Sequence, residues 1–455
     1  MGGRDAVLGV DLGTSSVKAL VAGPDGAVLG RGKAEHAVRV PGSGLAESDP
    51  EDWWQAACAA VRSALAEAGD AEVAAIGLAG QMHGIVLAGA DSRALRPAIL
   101  WLDQRAAAEA AEYELLPAAL TSVLGNRASA GMAGPLLCWL ARHEPSALSA
   151  ARWVLQPKDW LRLRLTGQAA TDPTDASGTL LYDLAAGTWA AGLIGALRLP
   201  GEKLPPVLGP AAVAGELLPG PAAELGLRSG IPVVTGAADT AAALYAAGLA
   251  GDEAMLTLGS GGQWVVTEQA VTGQALPEPR PADGTNLYLA VGGGRYRLAP
   301  VQNVGVTLNW VRTLLGLSWD ELYATAARPR HPEPPVFAPY LTPERWQDPL
   351  TTGKGAWTGL TLAHDRADLA RSALDGVAGL LRRRLEDLRA AGAAPRRVVL
   401  GGGGTGHPAW LALLTEALAL PVRPAPAGSL TAVGAARLAC GTLAGGPLTA
   451  FSSLN

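Results

Sequence analysis

Val7-Leu-Gly-Val-Asp-Leu-Gly-Thr-Ser-Ser-Val-Lys18 is the stretch from which the rest of the chain is read. Its pattern predicts a buried strand, a tight Gly-Thr-Ser turn and a second strand from Val17 to Val21. Asp11 falls at the end of the first strand. Gly13 lets the backbone approach a ligand with no Cβ in the way. Thr14, Ser15 and Ser16 offer hydroxyls and N–H groups to an anion. A carboxylate beside a phosphate cradle is repulsive unless a divalent cation lies between them. The stretch therefore reads in two ways. One is an ordinary Asp-x-Gly hairpin. The other is a nucleotide-phosphate turn with Asp11 on the metal side.

Moving outward, Pro24-Asp-Gly26 and Ala27-Val-Leu29 predict a further turn and a third strand. Asp49 as cap, Pro50 at the first position and acidic Glu51 and Asp52 open a helix. Trp53, Trp54, Ala57, Val61 and Leu65 give it an apolar stripe. Val73 to Ala79 reads as a buried strand that delivers Gly80-Gln-Met-His-Gly84 at its end. Residues 104–150 read as helical and alanine-rich, with a cap near Asn126. A helix from Pro157 should stop at Gly167. Ile231 to Thr235 reads as a strand, followed by Gly236-Ala-Ala-Asp239 and an apolar helix.

A second unit then opens as the first does. Ala254-Met-Leu-Thr-Leu-Gly-Ser-Gly-Gly262 parallels the first stretch but lacks an acid at the position of Asp11. Asp365 to Gly392 carries leucines at helical spacing, and Arg397-Val-Val-Leu400 predicts a strand ending in Gly401-Gly-Gly-Gly404. The expectation is a duplicated α/β fold of two lobes around a cleft, residues 1–247 and 248–455.

Composition narrows the function. A chain of 455 residues with 49% hydrophobic and 17% charged residues is globular and large enough for two lobes. Net charge is −5 without a basic tract, so no nucleic-acid partner is expected. Three widely spaced cysteines, Cys58, Cys138 and Cys440, match no metal spacing and read as reduced thiols. The first apolar run is interrupted by Asp11, and no apolar stretch approaches ~18 residues. A cytoplasmic protein without membrane contact is the expectation. Nothing in the composition decides oligomeric state, a homodimer included.

Several stretches together resemble the FGGY sugar kinases, which have the actin-like (ribonuclease H-like) fold. They are Asp11-Leu-Gly-Thr-Ser-Ser-Val-Lys18, Gly77-Leu-Ala-Gly-Gln-Met-His-Gly84, Pro97-Ala-Ile-Leu-Trp-Leu-Asp-Gln-Arg105, Pro157-Lys-Asp-Trp160, Asp239 in its Gly-Ala-Ala-Asp setting, Met255-Leu-Thr-Leu-Gly-Ser-Gly261 and Leu400-Gly-Gly-Gly-Gly404. Their order matches the family's across nearly the whole chain. Gln81-Met82-His83 resembles the xylulokinase branch in particular.

The resemblance implies ATP and Mg²⁺ as cofactors, a small sugar as acceptor and D-xylulose as the first sugar to consider. It places ATP at Gly13, Thr14, Ser15 and Lys18, at Gly259, Ser260 and Gly261, and at Gly402, Gly403 and Gly404. It places the metal near Asp11. Sugar contacts would come from Gln81, Met82, His83, Asp103 and Thr240. Asp239 matches the family's catalytic aspartate, which would accept the proton of the attacking hydroxyl. Read from the residues alone, Asp239 could equally cap the helix behind it. His83 could be a hydrogen-bonded structural residue, and Trp101 is expected to pack.

The chain also departs from the family. Thr240 stands where Asn is usual, Ala237 and Ala238 replace glycines, and Leu102 replaces a polar residue. Pro343-Glu-Arg-Trp-Gln347 keeps only Glu344 and Arg345 of a common stretch. Two alternatives therefore stay open: a family kinase for another polyol or keto-sugar, and a non-catalytic sugar or nucleotide binder.

Overall fold

The computed structural model describes residues 5–268, 278–282, 284–342, 344, 354–425 and 428–444. Strands β1 (Asp5–Leu12), β2 (Ser16–Ala22) and β3 (Val28–Glu35) form an antiparallel meander, with β3 running further than the sequence pattern implied. Helix α1 (Pro50–Ala68) starts where the Asp49 carboxylate accepts the Glu51 N–H and ends at Gly69. It packs on β3 and β2. Strand β4 (Glu72–Gly80) runs parallel to β1 on the side away from β2. With covered faces and neighbours on both edges, β1 is buried from Ala6 to Leu12, which is why it reads as a continuous apolar run.

Helix α2 (Pro157–Thr166) has Pro157 at its first position and ends on Gly167 in the left-handed conformation. Strands β5 (Val213–Glu216) and β6 (Pro232–Val234) complete a sheet of order β5-β6-β4-β1-β2-β3, with the short β7 (Ala237–Ala238) also pairing with β4. Helix α3 (Asp239–Ala247) follows at once and ends at left-handed Gly248.

The second sheet repeats the first. Strands β8 (Glu253–Leu258), β9 (Gly262–Glu268), β10 (Asn286–Leu289) and β11 (Arg295–Val301) are joined after a long excursion by β12 (Arg397–Gly402) and β13 (Val422–Pro424). The order is β10-β11-β9-β8-β12-β13. β8 and β9 are antiparallel, and β12 lies parallel to β8 on its other edge, just as β2 and β4 flank β1. The excursion supplies helices α4 (Gly305–Leu314) and α5 (Arg366–Ala390); helix α6 (Pro408–Leu418) follows β12. This is the duplicated actin-like arrangement.

Two details differ from the sequence reading. Residues 104–150 are broken into several short helices, of which Ala133–His143 is the longest. The cap expected near Asn126 is left-handed Gly125, after the short turn Ser122–Leu124, whose last C=O also accepts Asn126 Nδ2 at 3.4 Å; Asn126 itself chiefly ties to a distant strand. Its amide bonds both the N–H and the C=O of Leu287 on β10, at 2.7 Å each, and so ties the second sheet's edge to the first lobe. A helix cap and an edge clamp use the same side-chain chemistry, and the partner lies too far along the chain for local reading.

The last helix, α7 (Leu430–Ala444), leaves the second sheet and packs on β1, β4 and α3 of the first. Among the described residues no helix is long and apolar enough to cross a membrane.

Candidate active site

The cleft holds two cavities that share one wall. The first, about 540 Å³, is lined by Thr14, Met82, His83, Asp239 and Thr240 from the first lobe, and by Asn286, Tyr288 and Pro300 among others from the second. The second, about 550 Å³, is lined by Val306, Asn309, Trp319, Tyr323, Gly403, Gly404 and Trp410 among others. Both volumes suit small molecules. Gly259 and Ser260 line both.

Asp239 is the first residue of α3 and sits at the bottom of the first cavity. Its Oδ1 accepts the Thr240 N–H and, at 3.1 Å, the Thr240 hydroxyl. The helix cap is Ala238, which makes no side-chain bond. Burial pushes the Asp239 carboxyl up to about 6, and the charge of nearby Asp11 adds to the shift. Asp11 itself is buried at the end of β1. Its Oδ2 meets Lys18 Nζ at 3.4 Å and accepts the Ser429 hydroxyl at 3.3 Å. Burial raises its carboxyl despite Lys18. Lys18 lies opposite Asp11 in the β1–β2 register and is half-exposed at the cleft.

The Gly13-Thr14-Ser15 turn is held from three sides. Gly13 O faces His36 Nε2 at 3.0 Å and accepts Gln81 Nε2 at 3.5 Å; Ser15 O accepts the His36 N–H. Thr14 Oγ1 accepts the Trp101 indole N–H at 3.0 Å. Gln81 thus turns toward the Gly13-Thr14-Ser15 turn and does not line the first cavity. Trp101, expected only to pack, lines that cavity together with Leu102.

Met82 and His83 line the cavity as the end of β4 leads into it. Tyr296 donates to Met82 Sδ at 3.6 Å, and the Tyr288 hydroxyl lies 3.5 Å from His83 Nε2. His83 Nδ1 is 2.7 Å from Gly178 O. Its backbone is left-handed, with φ at 72°, and its N–H donates to Gln156 Oε1 at 3.0 Å. A strained non-glycine residue held by its neighbours is a common feature of binding sites.

Asp103 is not brought to the cleft. Its carboxylate is fully buried and accepts the Ala46 N–H at 2.6 Å, the Arg105 N–H at 2.8 Å and Arg105 Nε at 2.9 Å. With both oxygens occupied, it shapes the loop that presents Trp101 and Leu102 and has no free face for a sugar. Asp103 and Arg105 thus form a buried ion pair.

In the second lobe, Gly259 N–H donates to Gly261 O at 2.7 Å, which closes the Gly-Ser-Gly turn. Gly402 has φ at 88°, and a Cβ there would stand 1.9 Å from Leu258 O. It does not line the second cavity, whereas Gly403 and Gly404 do. Sequence reasoning missed the aromatic wall opposite them. Trp319 stacks on Tyr323 at 5.5 Å and Tyr323 on Trp410 at 5.8 Å. The signal was the capping box Ser318-x-x-Glu321 with aromatics at 319 and 323 behind it. It also missed Glu344, whose carboxylate accepts the N–H groups of Gln302 and Asn303 and the Asn303 amide, bracing the segment between the cavities. Pro343 and Arg345 to Gln347 lie outside the described residues.

Comparison with known proteins gives one answer along the whole chain. The N-terminal domain of the FGGY family of carbohydrate kinases matches residues 6–246, and its C-terminal domain matches residues 257–443. A xylulose kinase of Escherichia coli is 34% identical over 95% of this chain and 89% of its own length. One from Streptomyces rubiginosus is 34% identical over 96% and 88%. The crystal structure of a xylulose kinase from Rhodospirillum rubrum superposes with a TM-score of 0.86 at 30% identity, covering 98% of this chain and 92% of that one.

Proposed function

The chain belongs to the FGGY family of carbohydrate kinases, and on that premise we propose that it transfers the γ-phosphate of ATP to the terminal hydroxyl of D-xylulose. The observation that carries this reading is the placement of Asp239. It faces a cavity lined by Met82 and His83, and only the Gly259-Ser260 wall separates that cavity from the second one. In this reading the 1–247 lobe supplies the sugar pocket and the base, and the 248–455 lobe supplies most of the nucleotide site.

Sugar fills the first cavity. His83 bonds its oxygens, and Met82 and Trp101 pack on its carbon chain. Adenine fills the second cavity, whose lining includes Gly403, Trp319 and Tyr323. The phosphates cross the Gly259-Ser260-Gly261 turn toward Gly13-Thr14-Ser15 and Lys18. Backbone N–H groups of both turns stabilise phosphoryl charge as it shifts. Asp239, with its carboxyl raised to about 6, is ionised at neutral pH yet basic enough to take the proton of the attacking hydroxyl. Asp11 is near enough to Asp239 for its charge to raise that carboxyl, and two neighbouring carboxylates are a donor set that fits Mg²⁺. Asp11 would hold the ion, mainly through water and phosphate oxygens, and the ion would neutralise phosphate charge.

Thr240 keeps its hydroxyl on Asp239 Oδ1 and so restrains that carboxylate. Sugar-dependent ADP release across ketopentoses, polyols and aldonic acids tests the reading. Stimulation by D-xylulose supports it. Stimulation by another sugar alone moves the specificity, and ATP binding without stimulation by any sugar overturns it.

A further inference from the structure

Beneath the floor of the sugar-side cavity lies a cluster of five charged residues, Lys158, Asp159, Arg162, Asp172 and Asp175, each with 0% of its surface exposed. Lys158 Nζ stands 2.6 Å from Asp159 Oδ1, 2.9 Å from Asp172 Oδ2 and 3.2 Å from Asp175 Oδ2. Arg162 Nη1 reaches Asp159 Oδ1 at 3.0 Å. The three carboxylates lie close enough together to bind a metal ion, but the ammonium of Lys158 occupies their centre. Burial and the adjoining charges of Asp172 and Asp159 hold the Asp175 carboxyl well above the usual range. Lys158 and Arg162 thus pair with the acids inside a dry interior, where charges are tolerated only when paired.

The cluster has two outlets, and both lead to the site. On one side, Asp172 Oδ1 accepts the Thr174 hydroxyl at 2.5 Å, and Thr174 Oγ1 in turn accepts the Ala238 N–H at 2.8 Å. Ala238 is the residue before Asp239. Arg162 Nη1 also donates to Thr235 O at 2.8 Å, at the far end of the same turn. On the other side, Asp175 O accepts Gln156 Nε2 at 2.8 Å, and Gln156 Oε1 accepts the His83 N–H. One rigid knot thus grips the peptide in front of the base and the peptide of the sugar-contacting histidine.

We propose that Thr174 is a positioning residue for phosphoryl transfer: its hydroxyl couples the buried ion cluster to the Ala238–Asp239 peptide and sets where the Asp239 carboxylate stands relative to His83. The inference rests on Asp239 being the base. Thr174 touches no ligand, so its effect falls on the geometry of transfer and not on affinity. A misplacement of about 1 Å can cost roughly 100-fold in rate.

The test compares Thr174→Val, Thr174→Ser and Asp239→Asn by steady-state kinetics with D-xylulose and ATP. Thr174→Val keeps the shape and removes both hydrogen bonds. It is expected to lower kcat roughly 10–100-fold while both KM values stay within about threefold. Thr174→Ser retains the hydroxyl and should stay within about threefold of wild type in kcat. If Thr174→Val does not fold, Thr174→Ala takes its place with the same expected split. A folded Val or Ala variant with wild-type kcat overturns the proposal, even if its Tm falls. So does a Ser variant as slow as the Val variant, because the methyl group and not the hydroxyl would then matter. Asp239→Asn separates the two layers. If it keeps near wild-type turnover, the base assignment fails and the positioning role with it; if it is inactive while Thr174→Val is not slowed, the positioning role alone fails.

Discussion

Asp239 shows how one residue's chemistry is set by its surroundings. In sequence it is an acid before an apolar helix, equally suited to capping. In the fold it is half-buried near another acid, and its carboxyl is raised from 3.8 to about 6. The fold therefore prefers the protonated form. That contribution to stability is complete below 3.8 and lost as pH rises through about 6. Asp239→Asn should accordingly raise the unfolding free energy at pH 7–8 by about 1–3 kcal/mol, with the gain shrinking toward pH 4, while turnover falls by about 100-fold or more. Denaturation at the two pH values beside an ADP-release assay checks both halves. For the wild type, kcat/KM should fall on the acid side with an apparent pKa near 6. A limb centred below pH 4.5 would show that Asp239 is not the titrating base. Asp103 teaches the opposite lesson. Its motif was legible, but Ala46 and Arg105 take up its oxygens, and only the structure shows that.

Among the elements, α7 governs how tightly the base-bearing helix is seated. It lies so close to the first sheet that a Cβ on Gly77 would stand 1.8 Å from Ala435 O, and one on Gly9 would stand 2.2 Å from Ala432 O. Gly77→Ala must push α7 off β4 and disturb α3, which α7 also contacts. A loss of at least about 1–3 kcal/mol is expected, read as a lower urea midpoint. Gly379 on α5 is the contrast. It is exposed, and its Cβ would meet nothing within 4 Å, so Gly379→Ala should stabilise by about 0.5–1 kcal/mol. Helix caps and stops were legible because each depends on residues within a turn of one another: Asp49 before α1 and Gly167 after α2. The role of α7 was not, because its alanine-rich face fits many surfaces and only the glycines opposite choose this one.

For the whole molecule, the shared Gly259-Ser260 wall makes the two cavities interdependent. Filling one restrains the turn that the other must use, and the Glu344 brace holds the adjoining segment. Sugar and a non-hydrolysable ATP analogue should therefore tighten each other's binding. Linkage requires the factor to be the same in both directions, in a range of roughly 5–150-fold. Calorimetric titration of each ligand with and without the other measures it, and independent binding would mean that the wall does not transmit. Closure around both ligands would also exclude water from the transfer.

The sequence by itself determined the duplicated strand–turn–strand design, the two glycine turns, the acid at the end of β1 and the acid at the start of α3. Each follows from backbone preference and hydrophobic period over a few residues. Tertiary structure alone decided that Asp103 turns inward, that Gln81 bonds the Gly13 carbonyl, and that Trp319, Tyr323 and Trp410 gather beside Gly403 and Gly404. It also decided that Lys158 and three acids lie buried under the base. Burial, charge proximity and hydrogen-bond partners depend on segments that meet only when the lobes are built, and no local pattern encodes that meeting.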